Sequence, residues 1–304
     1  MAKRVVFTHN DLDGLVCALL ARQAMPDAAI FFCEYSNLPT IVRERLQRYE
    51  QFWFTDLSLR DDDLFRELEQ TGSDVYWFDH HASSTGQGWM VECRIDLSGQ
   101  KCAADVVKEY LDEQGVELPV PMLTLLDYAH DQDLWLRKIP EAQDFNDILG
   151  HLTVQQLFDE LNFDLGRVYQ WSEPMREACE KTQAARRRSL DLARLTASEV
   201  PLADGLRLRA VCCWGSVNEV AEELGDPDTL MALLDLRQLE RGVLKYSLRT
   251  KSDRIAANKL AEQLGGGGHP KASGAQLGPE ALQLFTGQVA ERLADLARKT
   301  GVTT

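Results

Sequence analysis

Residues 74–81, DVYWFDHH, are the stretch of sequence that indicates the fold of this chain. A run of strand-forming residues ends there in one aspartate and two histidines, although the 304 residues include only six histidines. Aspartate and histidine also occur in ordinary solvated turns, so the stretch alone fits either a turn or a ligand-binding group. The segments around it decide between these interpretations.

The first 135 residues alternate between short strand-like runs and amphipathic helical runs. Strands are predicted at RVVFT, AAIFFCEY, FWFTDL and DVYWFDHH, with helices at GLVCALLARQAM, TIVRERLQRYE and DDDLFRELEQTG. This alternation predicts an α/β fold whose mainly parallel sheet is covered by helices on both faces. In such sheets, ligands bind at the carboxyl ends of the strands.

Carboxylates and imidazoles follow three of these predicted strands. They are His9, Asp11 and Asp13 after the first strand, Asp56 after the third, and Asp79, His80 and His81 after the fourth. Histidine and carboxylate ligands without a thiolate suit manganese or magnesium better than structural zinc. For THNDLDG taken alone, an aspartate-rich turn capping the next helix remains the alternative.

The chain is long enough for two domains. Residues 1–195 are predicted to form a metal-binding catalytic domain, with a helical extension and linker to about residue 200. Residues 201–304 are predicted to form a smaller α/β domain. Its strands are predicted at LRLRAVCCW, TLMALLDLR and GVLKYSLRT, and its helices at NEVAEELG, IAANKLAEQLG and PEALQLFTGQVAERLADLARK.

Composition excludes several classes of function. A formal net charge of -15 argues against a protein that coats long nucleic acid, because such binding needs many phosphate contacts. Seven cysteines without a CxxC pair predict reduced thiols and a cytoplasmic protein. No signal-peptide core and no membrane-spanning run is predicted, so no membrane partner is expected.

A second functional feature is the run GGGGHPKASG, residues 265–274. Consecutive glycines let backbone amides approach an anion, and arginine side chains suit a terminal phosphate. A flexible turn is the alternative. The candidate substrate-binding residues are Gly266, Gly267, Gly268, His269, Lys271, Arg249 and Arg254.

In their order and spacing, THNDLDG, Asp56, FDHHAS and HDQDLW resemble the four motifs of the DHH phosphoesterase superfamily. The segment LRTKSDRIAANKLAEQLGGGGHPKASGAQL resembles the associated DHHA-type substrate-binding domain, which faces the catalytic domain across a cleft. The resemblance covers essentially the whole chain. The DLW form of the fourth motif is similar to that of short, stand-alone members that degrade very short RNA.

The resemblance implies a centre of two manganese ions, for which Mg²⁺ or Co²⁺ could substitute. The implied metal ligands are His9, Asp11, Asp13, Asp56, Asp79, His80 and Asp131, with Asp56 and Asp131 as bridging carboxylates. His81 is expected to act on the substrate, as an acid or an orienting group, and Asp79, His80 and His81 form the catalytic set. Asp127 and Asp133 remain alternatives to Asp131, and the division of Asp11 and Asp13 between the ions stays open.

The implied activity is hydrolysis of short oligoribonucleotides to mononucleotides, especially of 5′-phosphorylated dinucleotides such as the linear products of cyclic dinucleotides. The alternatives are a 3′-phosphoadenosine 5′-phosphate phosphatase, a cyclic-dinucleotide phosphodiesterase, and a nucleotide-sensing protein without turnover. A processive exonuclease would require basic segments that this acidic chain lacks. The resemblance is also compatible with a homodimer.

Overall fold

The computed structural model describes residues 3–58, 61–81, 84, 88–237, 243–277 and 294. The chain divides into two compact units, Met1–Thr182 and Gln183–Thr304. The domain boundary near Pro201 stays a prediction. The helix predicted over residues 279–299 lies outside the described part of the chain, apart from residue 294.

The first unit is built on a parallel sheet. Its strands are β1 (Arg4–His9), β2 (Ala29–Cys33), β3 (Gln51–Thr55), β4 (Asp74–Asp79) and β5 (Glu92–Ile95). They lie in the order β2-β1-β3-β4-β5, and every neighbouring pair is parallel. The predicted α/β fold is confirmed, whereas β5 was not expected from the sequence.

Helices cover both faces of this sheet. They are α1 (Leu12–Ala24), α2 (Leu38–Arg43), α3 (Asp62–Thr71), α4 (Ala103–Glu113), α5 (Val120–Asp133), α6 (Pro140–Ile148) and α7 (Val154–Phe163). Helix α8 (Glu173–Thr196) begins in the first unit and ends in the second, where Ala193 belongs to the core. Successive strand residues point to opposite faces. Val6 and Phe78 therefore pack in a core with α1, α4 and α5, while Phe7 and Trp77 pack in a second core with α2 and α3.

The strand order places the polar motifs together. From β1 the chain first adds β2 on one side and then returns to add β3 on the other, which makes the β1–β3 boundary a topological switch point. Ligands of open α/β sheets bind at such a point, outside the carboxyl ends of the strands. Strands β1, β3 and β4 are adjacent, so the three predicted motifs meet there.

The second unit contains a mixed sheet. Its strands are β6 (Ser198–Pro201), β7 (Arg207–Cys213), β8 (Thr229–Asp235), β9 (Leu244–Thr250), β10 (Gly267–His269) and β11 (Ala272–Leu277), in the order β10-β11-β9-β8-β7-β6. Helix α9 (Val217–Leu224) packs on one face and α10 (Ala257–Gln263) on the other. Among the described residues, no helix combines the length and apolar composition that crossing a membrane requires.

Candidate metal centre

The first motif turns sharply from β1 into α1. Asp11 is the N-cap of α1, and its Oδ1 accepts a hydrogen bond of 2.9 Å from the Gly14 amide. A Cβ on Gly14 would lie 2.1 Å from the carbonyl oxygen of His9, so only glycine fits this turn. The capping interpretation of the motif is therefore correct, but the same aspartate also contacts His9.

His9 lies between two carboxylates. Its Nδ1 is 2.6 Å from Asp11 Oδ2 and 3.6 Å from Asp56 Oδ2. Burial disfavours the charged imidazole, but the hydrogen bond with Asp11 and the nearby charges of Asp11 and Asp56 outweigh burial and raise the pKa of His9 to about 10. A proton on His9 thus compensates some of the negative charge of this cluster.

Asp13 is fixed at the start of another helix. Its two oxygens accept hydrogen bonds of 2.7 and 2.9 Å from the amides of Ala103 and Ala104, in the first turn of α4. Burial, together with the charges of Asp56 and Asp133, raises the pKa of the Asp13 carboxyl well above its usual value. The helix amides therefore hold a carboxylate among other carboxylates.

Asp56 adopts an unusual conformation at the end of β3. Its φ is +55°, a left-handed value that is uncommon for residues other than glycine, and the residue is only 1% exposed. Its Oδ2 forms no hydrogen bond, and burial followed by repulsion from Asp11 raises the pKa of the carboxyl. Strained residues of this kind concentrate at functional sites.

Asp79 organises the DHH motif. Its Oδ1 accepts hydrogen bonds of 2.8 Å from the His80 amide and from Nδ1 of His81, and its Oδ2 accepts one from the Ser84 hydroxyl. Burial opposes ionisation of Asp79, but these bonds outweigh it and lower the pKa. Asp79 groups with Asp56, His80 and His81 within 4.8 Å, although much of its hydrogen-bonding capacity is used within the motif.

His80 carries an unpaired nitrogen at the centre of the cluster. Its buried Nε2 forms no hydrogen bond, yet it lies 3.5 Å from Asp56 Oδ1, 3.5 Å from Asp133 Oδ2 and 4.0 Å from Asp13 Oδ2. An imidazole nitrogen and carboxylates at this spacing are ligands for a hard or borderline divalent cation. The orphaned atoms of His80 and Asp56 therefore fit a metal site.

The two aspartates of the fourth motif have different environments. Asp133, the last residue of α5, groups with Asp13 and His80. Asp131 is buried, its Oδ1 accepts a hydrogen bond of 2.8 Å from the Lys138 amide, and it belongs to none of the potential metal-binding groups among the described residues. Asp127 is likewise in none of these groups. The geometry favours Asp133 over Asp131.

His81 has a partner that sequence reasoning missed. The hydroxyl of Tyr35, in the turn after β2, is 3.1 Å from His81 Nε2, and the two rings contact edge to face. The Tyr35 ring also lies 4.9 Å from that of His9. The hydrogen bond to Asp79 raises the pKa of His81 despite its burial. Asp79 and Tyr35 therefore hold the imidazole from its two nitrogens.

The glycine run of the second unit has structural reasons of its own. Gly265 and Gly266 close α10 by donating to the carbonyls of Glu262 and Ala261, and Gly265 has φ +73°. A Cβ on Gly268 would lie 2.7 Å from Ser273 Cα, so the β10–β11 hairpin requires glycine there. A Cβ on Gly267 would meet nothing within 4 Å, and packing does not explain that residue.

The predicted anion-binding side chains fall into two groups. Arg254 and Lys271 form ion pairs of 2.6 Å with Asp228 and Asp253. Arg249 and His269 occupy one row of the sheet, since both pair with Ala272 and paired residues share a face.

Within the described part of the chain, Arg249 forms hydrogen bonds with Asn218 and backbone carbonyls but no ion pair with a carboxylate. Burial lowers the pKa of its guanidinium. Among Arg249, Arg254 and Lys271, Arg249 is thus the one without a carboxylate partner in the described part of the chain.

Comparisons with known proteins agree with this architecture. The DHHA1 domain model matches residues 211–295. The chain is 25% identical over 318 residues to oligoribonuclease NrnB of Bacillus subtilis (strain 168), covering 93% of this chain and 75% of that protein.

Two solved structures have a similar fold. The pGpG-specific phosphodiesterase PggH of Vibrio cholerae superposes with a TM-score of 0.64 at 15% identity, covering 96% of this chain and 100% of that chain. RecJ of Thermus thermophilus, in complex with Mn²⁺, superposes with a TM-score of 0.52 at 16% identity, covering 97% of this chain and 52% of that chain. The resemblance to DHH phosphoesterases with a DHHA1 domain is confirmed.

Proposed function

We propose that this chain, which resembles DHH phosphoesterases over most of its length and contains a DHHA1 domain, is a metal-dependent phosphodiesterase of short oligoribonucleotides. Its preferred substrates are 5′-phosphorylated dinucleotides, which it hydrolyses to mononucleotides. The observation that carries the proposal is the buried, unpaired Nε2 of His80 among the carboxylates of Asp13, Asp56 and Asp133.

Two manganese ions, or Mg²⁺ or Co²⁺ in their place, suit this cluster of oxygen and imidazole ligands. When bound, two such ions stabilise the charge that develops on the attacking and leaving oxygens of a phosphoryl transfer. The side chains that would hold them are His9, Asp11, Asp13, Asp56, Asp79, His80 and Asp133. Asp56 lies in two of the groups, which suits a bridging carboxylate.

The remaining residues of the centre orient the substrate. His81 is held by Asp79 and Tyr35, and its raised pKa keeps the imidazole protonated to higher pH than usual. A protonated His81 would donate to the scissile phosphate and then to the leaving oxygen from Nε2, which exchanges its contact with Tyr35 for one with the substrate, while Nδ1 stays bonded to Asp79. The bond with Asp79 keeps the ring oriented and reduces the entropy lost in the reaction.

The second unit supplies an anchor for a terminal phosphate. Arg249 and His269 lie in one row of the sheet beside Gly267, whose missing side chain leaves open space at the backbone. A guanidinium that has no carboxylate partner among the described residues binds a phosphate without first breaking an ion pair. This anchor favours substrates that carry a 5′-phosphate.

The test is a chromatographic time course on 5′-phosphorylated RNAs of two to about ten nucleotides. If the 5′-phosphate is anchored, hydrolysis should depend on the length of the RNA over this range. Metal-stripped protein is compared with and without added Mn²⁺, and His80→Ala is the inactive control. We expect Mn²⁺-dependent hydrolysis of the dinucleotide and slower hydrolysis of each longer RNA. Absence of hydrolysis at every length would contradict the proposal and direct the search to nucleoside bisphosphates, cyclic dinucleotides, and then a sensor.

A further inference from the structure

The loop that follows α5 has an unusual backbone. Trp135 and Arg137 have φ values of +55° and +56°, and they are two of the five non-glycine residues with positive φ in the described part of the chain. A bulky side chain disfavours this conformation, because its Cβ approaches the backbone carbonyl. Strain of this kind persists only where the surrounding contacts impose it.

Asp131 imposes the shape of this loop. Its Oδ1 accepts a hydrogen bond from the Lys138 amide, and its backbone carbonyl accepts one of 2.9 Å from the Leu136 amide. The Trp135 amide donates to the carbonyl of Gln132 at 3.2 Å. Asp131 thus fixes the loop through its Oδ1 and its backbone carbonyl, while its buried Oδ2 forms no hydrogen bond.

The loop presents a flat aromatic surface. The guanidinium carbon of Arg137 lies 3.6 Å from the centroid of the Trp135 ring, and Arg137 Nη1 donates to Gln132 Oε1 at 3.2 Å. Trp135 nevertheless remains 41% exposed. Arg137 therefore backs the indole while much of the ring stays in contact with solvent.

The loop that carries Trp135 begins next to the candidate metal centre. Trp135 is two residues beyond Asp133, so their Cα atoms are at most about 7.6 Å apart, twice the spacing of consecutive residues. Asp133 Oδ2 is 3.5 Å from His80 Nε2. A phosphodiester bound at the cluster would carry its nucleosides within reach of the indole.

We propose that Trp135, backed by Arg137, is the stacking surface for a nucleobase of the substrate. The inference rests on the proposed function and extends it to base recognition. An indole stacks on any base because every base has a π face, and a guanidinium behind it strengthens the interaction. Larger purines gain more contact than pyrimidines. The strained loop is then explained by the need to hold the indole outward beside the metal-binding residues.

The test compares Trp135→Ala and Trp135→Phe with wild type. The substrates are a 5′-phosphorylated diguanylate and two analogues, each lacking one of the two bases. Phe163→Ala is the control, because Phe163 is an aromatic residue of the same unit that is 87% exposed. Trp135→Ala is expected to raise KM for the intact dinucleotide about 5- to 150-fold, the range of one lost base stack.

The expected pattern across variants and substrates is specific to stacking. Trp135→Phe should raise KM less than Trp135→Ala does, and Phe163→Ala should match wild type. On one of the two analogues, Trp135→Ala should perform as well as wild type, and this analogue identifies the base that stacks. An equal loss on all three substrates, or no loss on the intact one, would overturn the inference while leaving the proposed function in place.

If wild type hydrolyses none of the three compounds, the proposed function fails separately. Calorimetric titration of the metal-loaded wild type and Trp135→Ala with the intact dinucleotide then decides the inference. Weaker binding to Trp135→Ala supports base stacking, and equal affinities overturn it.

Discussion

His80 Nε2 lies 3.5 Å from Asp56 Oδ1 in the buried centre of the first unit, yet neither this nitrogen nor the other oxygen of Asp56 forms a hydrogen bond. Leaving such groups unpaired in a protein interior costs about 1–3 kcal/mol each. The carboxylates of Asp13 and Asp133 add like charge around the same nitrogen. Divalent cations bound in this cluster would give these groups partners and offset the like charges.

The fourth motif provides a paired test of the ligand set. Asp133→Asn should reduce kcat/KM by at least about 100-fold, beyond the loss usual for residues that only support a ligand. Asp131→Asn should retain activity within about 3-fold, because the amide oxygen still accepts the hydrogen bond from Lys138. The measurement is steady-state hydrolysis of a 5′-phosphorylated dinucleotide. The opposite order of the two losses would restore Asp131 as the ligand.

Tyr35 is predicted to position His81. Tyr35→Phe removes one hydrogen bond from the imidazole, and kcat should fall about 3- to 10-fold, the value of one such bond, with little change in KM. In a His81→Ala background the same change should have no further effect, since the two residues act as a unit. Tyr169→Phe, which loses a hydrogen bond with Thr124, is the matched control. Additive effects of Tyr35→Phe and His81→Ala would exclude the positioning role.

Arg249 is predicted to bind the 5′-phosphate. Arg249→Ala should raise KM for a 5′-phosphorylated dinucleotide by about 10-fold or more, as expected for the loss of a charged hydrogen bond. A dinucleotide without the 5′-phosphate should show the same KM with both proteins. Arg254→Ala should have a smaller effect, because Arg254 is paired with Asp228. Equal losses on the two dinucleotides would assign Arg249 a structural role.

The metal-free protein should lose stability as the pH rises from 6.5 towards about 10. The pKa of His9 is raised in the folded state, so the stabilisation from its proton is complete below pH 6.5 and is lost as the pH passes through the folded value of about 10. Thermal unfolding in chelator should show a midpoint that falls by several degrees over this range. In His9→Asn the unfolding midpoint should fall less over the same pH range. An equally steep fall would show that the proton on His9 is not the cause of the pH dependence.

Much of the centre could be predicted from the sequence because it depends on strand order. His9, Asp56 and His80 each follow an apolar run, and parallel strands bring such positions to one edge of the sheet. The choice between Asp131 and Asp133 could not be predicted in this way. Asp131 and Asp133 are two positions apart on α5 and therefore about 200° apart around its axis, so which of them approaches His80 depends on how the helix packs.

Other features depend on contacts between distant parts of the chain. Tyr35 reaches His81 across 46 residues, and nothing in its local sequence marks it. The glycine run was expected to form an anion-binding loop. That role stays a prediction, but Gly266 and Gly268 also allow close packing of the β10–β11 hairpin, which only the paired backbone reveals.

The most direct test is the number of Mn²⁺ ions bound per chain, measured by elemental analysis after gel filtration of wild type, Asp56→Asn and the surface variant Asp112→Asn. Asp112 pairs with Lys108 on α4, so its loss should change nothing. We expect two ions in wild type and in Asp112→Asn, and fewer than one in Asp56→Asn together with loss of dinucleotide hydrolysis. Hydrolysis by wild type without bound metal, or two ions in Asp56→Asn, would contradict a metal centre at this cluster.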